Sequence, residues 1–158
     1  MGLTREQAQR AKDIRCEELF IPEWLDDQDA TELKTIDGEL AKLNGDDPKL
    51  RAELEEKRKA IRDKSTACIW MLTPLEMENL QQVTKKELGP NKAQNQRNFW
   101  AQLAIATVRD KDGIPTFTKD DHAWLSKFKS FRALNRIANA AMAMNGLNDK
   151  DEEEILKN

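Results

Sequence analysis

The chain has 158 residues, with 26 lysines and arginines against 29 aspartates and glutamates and a formal net charge of -3 at pH 7. This length supports a single domain, residues 1–158, with a modest core. Nearly balanced charge argues against the positive field of a dedicated nucleic-acid binder. No apolar run approaches the ~20 residues that span a bilayer, and the polar N-terminus lacks an apolar signal-peptide segment.

Cap and strand signals predict the elements of the first part of the chain. Thr4 and Gln7 form a capping-box pattern and predict a short N-terminal helix. Residues 14–25 then have an extended character, and residues 67–72 (ACIWML) form a second strand-like run. We expect these two segments to pair as a small two-stranded β-hairpin.

The segment between these strands, residues 26–66, has a helical periodicity of its own. Apolar residues spaced by three and four predict one helix, and a sparser stripe predicts a second. Asn44-Gly45 is a helix stop, and Asp47-Pro48 supplies an N-cap and a first helical residue. We therefore expect an inserted antiparallel helical hairpin that projects from the strand connection. The stripe residues are Leu33, Ile36, Leu40, Leu43, Leu50, Leu54 and Ile61.

Helices are predicted for most of the remaining chain. Thr73 and Glu76 form a capping box around Pro74 and predict a helix start. The next helix, the most apolar of the chain, should include Val108 and stop at the turn formed by residues 110–113.

Thr118 is the predicted cap of a further helix. The apolar face of this helix continues through Phe131, and the helix is expected to end at Asn145-Gly146. Asn148 caps a last, acidic helix whose charges suit a helix N-terminus. The predicted fold class is mainly α (α+β): a helical domain with a small two-stranded β-hairpin and the inserted helical hairpin.

Candidate sites for chemistry are few. The turn at residues 110–113 faintly resembles a calcium loop, but that alignment places Val108 and Lys119 at ligand positions they cannot fill. His122 is expected to be a lone exposed histidine, and no serine or cysteine stands in a recognisable nucleophile motif. We expect no catalytic residue, metal site or cofactor, and hence no enzyme.

Tryptophans are the first candidates for binding a partner. Trp24 and Trp70 lie at the predicted strand ends, where each belongs either to the core or to a groove. Trp100 and Trp124 are expected in the core.

A basic patch is the second candidate. Lys129, Arg132 and Arg136 would share one helix face, at spacings of three and four. Such a face could dock an acidic helix or nucleic acid, or it could pair with the acidic tail at residues 151–154. We favour pairing with the tail, because no aromatic residue is expected among these cations as a stacking platform.

The order of these segments resembles that of the tail assembly chaperones of long-tailed (siphovirus-type) bacteriophages and related prophages. Five motifs carry the resemblance, and the inserted hairpin departs from the usually short connection between the strands. The motifs are LTREQAQRAKD, FIPEW, IWMLTPLEMENL, ATVRDKDGIPTFTKDD, and a closing helix followed by Asn145-Gly146-Leu147 and an acidic tail.

The resemblance implies a non-enzymatic protein of the host bacterial cytoplasm that is not retained in the mature virion. It would bind the tape measure protein, keep it soluble and help recruit tail tube subunits, and it could self-associate. The alternative is a small helical nucleic-acid-associated protein that uses the basic face at residues 127–136.

The resemblance also implies a second, longer product made by ribosomal frameshifting. The final Leu156-Lys157-Asn158 can be encoded by codons of the form xxA-AAA-AAC, on which a ribosome can slip back by one base.

Overall fold

The computed structural model describes residues 2–43, 45 and 47–157, without the side chain of Phe128. Asn44, assigned above to the hairpin turn, and Asn158, assigned to the frameshift site, lie outside them. The strands are β1 (Cys16–Phe20), β2 (Thr66–Trp70) and β3 (Val108–Arg109). The helices are α1 (Arg5–Arg10), α2 (Asp27–Lys42), α3 (Pro48–Asp63), α4 (Pro74–Lys86), α5 (Lys92–Thr107), α6 (His122–Phe128), α7 (Phe131–Met144) and α8 (Asp149–Ile155).

The mainly α prediction with a small antiparallel β element is confirmed, and the sheet has one strand more than expected. Its order is β1-β2-β3. The predicted pairing of the first two strands is confirmed, with Glu18 opposite Cys68. The third strand begins at Val108, which we had placed in a helix, because α5 ends at Thr107 and the chain turns back through Gly113.

That turn has a clear local cause. Asp110 Oδ1 accepts hydrogen bonds from the N–H groups of Asp112 and Ile114, and Gly113 has a φ of 84°. This left-handed conformation favours glycine because it has no Cβ. The returning chain pairs with β3, since Thr116 N donates to Val108 O.

The predicted antiparallel helical hairpin is present as α2 and α3, inserted between β1 and β2. Asp26 caps α2 and Asp47 caps α3, each by accepting a backbone N–H with its side chain. The two helices enclose a small apolar cluster of their own, and Phe20 and Leu25 pack against it. The buried members are Leu33, Ile36, Leu54 and Ile61.

The main core lies between α5 and α7. Small residues on both helices allow close approach, and large apolar side chains fill the space between them. Ile69 of β2 also belongs to this core. Fully buried members from the two helices are Phe99, Ala101, Leu103, Ala104, Ala133, Leu134, Ile137, Ala138 and Ala141.

The predicted continuous apolar face after Thr118 is interrupted. Thr118 caps a short 3-10 turn, Lys119–Asp121, that leads into α6. The helix then breaks, and Ser130 caps α7 by accepting the N–H of Ala133. The placement of Trp124 in the core was wrong, because its side chain is 42% exposed.

The last helix begins as predicted, because Asn148 forms a capping box at the start of the acidic helix α8. Ile155 anchors that helix in the core. No helix among the described residues is long and apolar enough to cross a membrane.

Asn145 joins the end of α7 to the sheet. Its Oδ1 accepts a 2.7 Å hydrogen bond from Leu72 N, and its Nδ2 donates a 2.8 Å bond to Ala141 O.

Asn145→Ala leaves the Leu72 amide without its partner and should lower the free energy of unfolding by ~1–3 kcal/mol. Urea unfolding measures this. The control Asn139→Ala, at an exposed position of α7, should change stability by less than ~0.5 kcal/mol, and equal losses would contradict the assignment.

Candidate partner-binding surface

Three aromatic rings and one ammonium group meet at the surface between the 3-10 turn Pro22–Trp24, the loop before α6, and the α6–α7 connection. The Phe117 ring stands nearly perpendicular to Trp24 at a centroid distance of 6.1 Å, and it lies 6.3 Å from Trp124. Lys129 Nζ lies 5.5 Å from the Trp24 ring and 4.5 Å from the Trp124 ring. Both distances permit cation–π attraction. We name Trp24, Phe117, Trp124 and Lys129 the aromatic–lysine cluster.

The break between α6 and α7 creates the position of Lys129. Its backbone is extended, with φ -87° and ψ 150°, so Lys129 belongs to no helix. The expected common helix face of Lys129, Arg132 and Arg136 was therefore wrong, since only the two arginines lie on α7. The expectation of no aromatic residue among these cations was also wrong.

An ion pair fixes Trp24 against α7. Arg136 donates to both carboxylate oxygens of the neighbouring Glu23, at 2.7 and 3.2 Å. These hydrogen bonds from Arg136 hold the pKa of Glu23 below its usual value, and the charge of Arg132 contributes in the same direction. The 3-10 turn that carries Trp24 is thereby attached to the helix that follows Lys129.

The favoured pairing of the basic patch with the acidic tail was wrong. Arg136 pairs with Glu23 instead, and Glu152 of the tail accepts a hydrogen bond from Gln96 at the start of α5. Among the residues that the structure describes, no ion pair joins the patch to residues 151–154.

Phe131 extends the apolar surface beyond the cluster. It is the first residue of α7 and is 58% exposed, while its ring lies 4.9 Å from that of the buried Trp100. The prediction of Trp100 in the core is confirmed. Trp124 and Phe131 are thus two large exposed aromatic residues that precede and follow Lys129 in the sequence, and Arg132 is exposed as well.

Trp70 lies elsewhere. Its indole N–H donates a 2.9 Å hydrogen bond to Asp110 O, and its six-membered ring lies against Gly113. This half-buried tryptophan therefore braces the β3 turn. The structure does not bring it together with the aromatic–lysine cluster.

A groove of about 600 Å³ between α4, α5 and α6 contains a pair that sequence reasoning missed. His122 was expected to be a lone exposed residue, which was wrong, because its Nε2 lies 3.3 Å from Glu87 Oε2 and its side chain is 21% exposed. A second pair in the lining of this groove is the ion pair between Arg109 and Glu76. The described lining of this groove has no hydroxyl or thiol group.

Within residues 2–43, 45 and 47–157, no group of three or more histidine, cysteine, aspartate or glutamate side chains could hold a metal ion. No family model, curated protein or solved structure matches this chain.

Folding lowers the pKa of Glu23. Glu23 therefore stabilises the fold at pH values above its pKa in the unfolded chain, and this stabilisation is lost as pH falls through its pKa in the folded chain. Glu23→Gln should lower the free energy of unfolding by up to ~1 kcal/mol at pH 7 and by less at pH 3, since the stabilisation declines as pH falls. Denaturant unfolding at both pH values measures this difference. The matched control is Glu39→Gln, at an exposed position of α2, with no effect expected at either pH. A Glu23→Gln effect of the same size at both pH values would contradict the assignment.

Proposed function

We propose that this chain is a tail assembly chaperone of the kind found in long-tailed bacteriophages and prophages. In this role it binds the tape measure protein in the host cytoplasm, keeps it soluble, helps recruit tail tube subunits, and leaves before the tail is mature. It performs no catalysis. The order of the five sequence motifs suggests the class, and the partly exposed aromatic–lysine cluster, together with the exposed Phe131, is the observation that supports a binding role.

The surface has the composition that helix recognition requires. An amphipathic helix binds by placing an apolar stripe against an apolar surface, and tryptophan and arginine are enriched among residues that dominate binding energy. Here Trp124 and Phe131 supply exposed apolar area, while Lys129 and Arg132 supply positive charge beside it. A long helical protein with acidic residues flanking its apolar stripe fits both features.

Rigidity adds to the suitability of this surface. Trp24 is held by the Glu23–Arg136 ion pair, and Phe131 rests on the buried Trp100. Side chains already ordered in the free protein lose less conformational entropy on binding. Reversible covering of a helical partner needs a surface of this kind, with moderate area and little rearrangement.

Co-expression with the long, helix-rich product of a neighbouring gene tests the proposal. We expect the wild-type chain to raise the soluble fraction of that product. Trp124→Ala should weaken the purified complex by about 30-fold, the size typical of an interface hot spot. Leu75→Ala removes another exposed apolar side chain, on α4, and should have no effect.

The two measurements test the proposed function and the proposed surface separately. No gain in solubility with the wild-type chain would overturn the proposed function. A gain that Trp124→Ala does not weaken would keep the function and overturn the surface.

The salt dependence of the binding affinity distinguishes the nucleic-acid alternative from the proposed function. Binding through phosphate contacts falls steeply as salt rises, whereas binding through Trp124 and Phe131 should change little. Glu23 neutralises Arg136, which weakens the positive field of the basic patch and favours the protein partner.

A further inference from the structure

Within the part of the chain that the structure describes, the backbone groups on the outer edge of β1 have no hydrogen-bond partner. β1 is an edge strand of the sheet. Met71 N donates to Arg15 O, and Ile21 N donates to Ser65 O. Because backbone bonding alternates along an antiparallel strand, odd-numbered residues from 15 to 21 face β2. The N–H and C=O groups of residues 16, 18 and 20 therefore point outward, and Cys16, Glu17 and Glu18 have exposed side chains.

An outward edge of this kind can pair with another strand, and its charges select the partner's register. In pairing between two identical antiparallel edges, the outward residues must oppose outward residues. A register centred on Glu17 or on Glu18 brings two carboxylates together, and one centred on Arg15 brings two guanidinium groups together. A register centred on Leu19 requires an N–H from Pro22, which proline lacks.

Among registers centred on Arg15 or within β1, the one centred on Cys16 satisfies both the backbone and the charges. When Cys16 lies opposite Cys16 of a second copy, Arg15 lies opposite Glu17 of the second copy, and symmetry repeats this pair. Arg15 and Glu17 occupy non-hydrogen-bonded positions, where facing side chains approach most closely. Ile14 then lies opposite Glu18, with no like charges in contact.

We propose that two copies of this chain associate by antiparallel pairing of their β1 edges in this register. The two three-stranded sheets become one six-stranded sheet with a two-fold axis at Cys16. About five residues of each strand take part, so the interface is smaller than the ~1,200–2,000 Å² of stable complexes. We expect a reversible dimer with a dissociation constant above about 1 µM. This inference is independent of the proposed function.

The native cysteine reports the register directly. Opposed residues at a hydrogen-bonded antiparallel position have Cα atoms ~5.5 Å apart, within the range that a disulfide spans. Mild oxidation of the full chain should give a covalent dimer on a non-reducing gel. Cys16→Ser should abolish this product, and Cys68→Ser should retain it, since Cys68 is buried.

A charge-swap series separates specific pairing from random collision. Arg15→Glu or Glu17→Arg alone should reduce both the rate of cross-linking and the affinity measured by sedimentation, by about tenfold. The double variant Arg15→Glu with Glu17→Arg should restore wild-type values. Glu39→Arg makes the same change of charge on α2 and should have no effect.

A proline variant tests the backbone contacts. The Glu18 N–H points away from β2, so Glu18→Pro removes a donor from the outer edge and none from the β1–β2 ladder. It should abolish the dimer while leaving the circular dichroism spectrum unchanged. A monomer at millimolar concentration, or single charge swaps without rescue by the double swap, would overturn the proposal. If Glu18→Pro unfolds the chain, the charge-swap series alone tests the pairing of the β1 edges.

Discussion

β2 is the strand on which the remaining structure depends, because it is central in the sheet and its Cys68 and Ile69 are buried. A buried strand must have its backbone groups paired on both edges, and each of its neighbours comes from a distant part of the chain. β1 pairs on one side and β3 on the other. Just beyond the strand, the Leu72 amide bonds to Asn145 at the end of α7. The sheet is therefore the place where the N-terminal segment, the α5 end and the C-terminal helices are held together.

The position of the aromatic–lysine cluster follows from this arrangement. β1 leads directly into the 3-10 turn that carries Trp24, and the turn after β3 leads into Phe117. Both segments reach the α6–α7 break, where Lys129 lies between the two tryptophan rings. No single stretch of sequence contains the cluster. It exists because two strands paired with β2 deliver their following loops to the same side of α7.

Local signals in the sequence were sufficient for most of the elements. The caps at Thr73 and Asn148 and the apolar stripes of the hairpin specify helix starts and buried faces through neighbours three and four residues apart. β3 could not be predicted, since two residues carry no periodicity and the strand exists only because β2 offers an edge. Trp124 and His122 were misplaced for a similar reason. Exposure of Trp124 depends on the break before Ser130, and His122 lies close to Glu87 only because the chain brings the C-cap of α4 near the start of α6.

Hydrogen exchange of the chain, free and in complex with the proposed partner, a tape measure protein, tests the central claim most directly. We expect the partner to bind the face formed by Trp24, Phe117, Trp124, Lys129 and Phe131. Peptides covering residues 115–132 should therefore exchange more slowly in the complex, together with the peptide containing the 3-10 turn at residues 22–24. Unchanged exchange in both regions, with protection confined to the α2–α3 hairpin, would contradict the account.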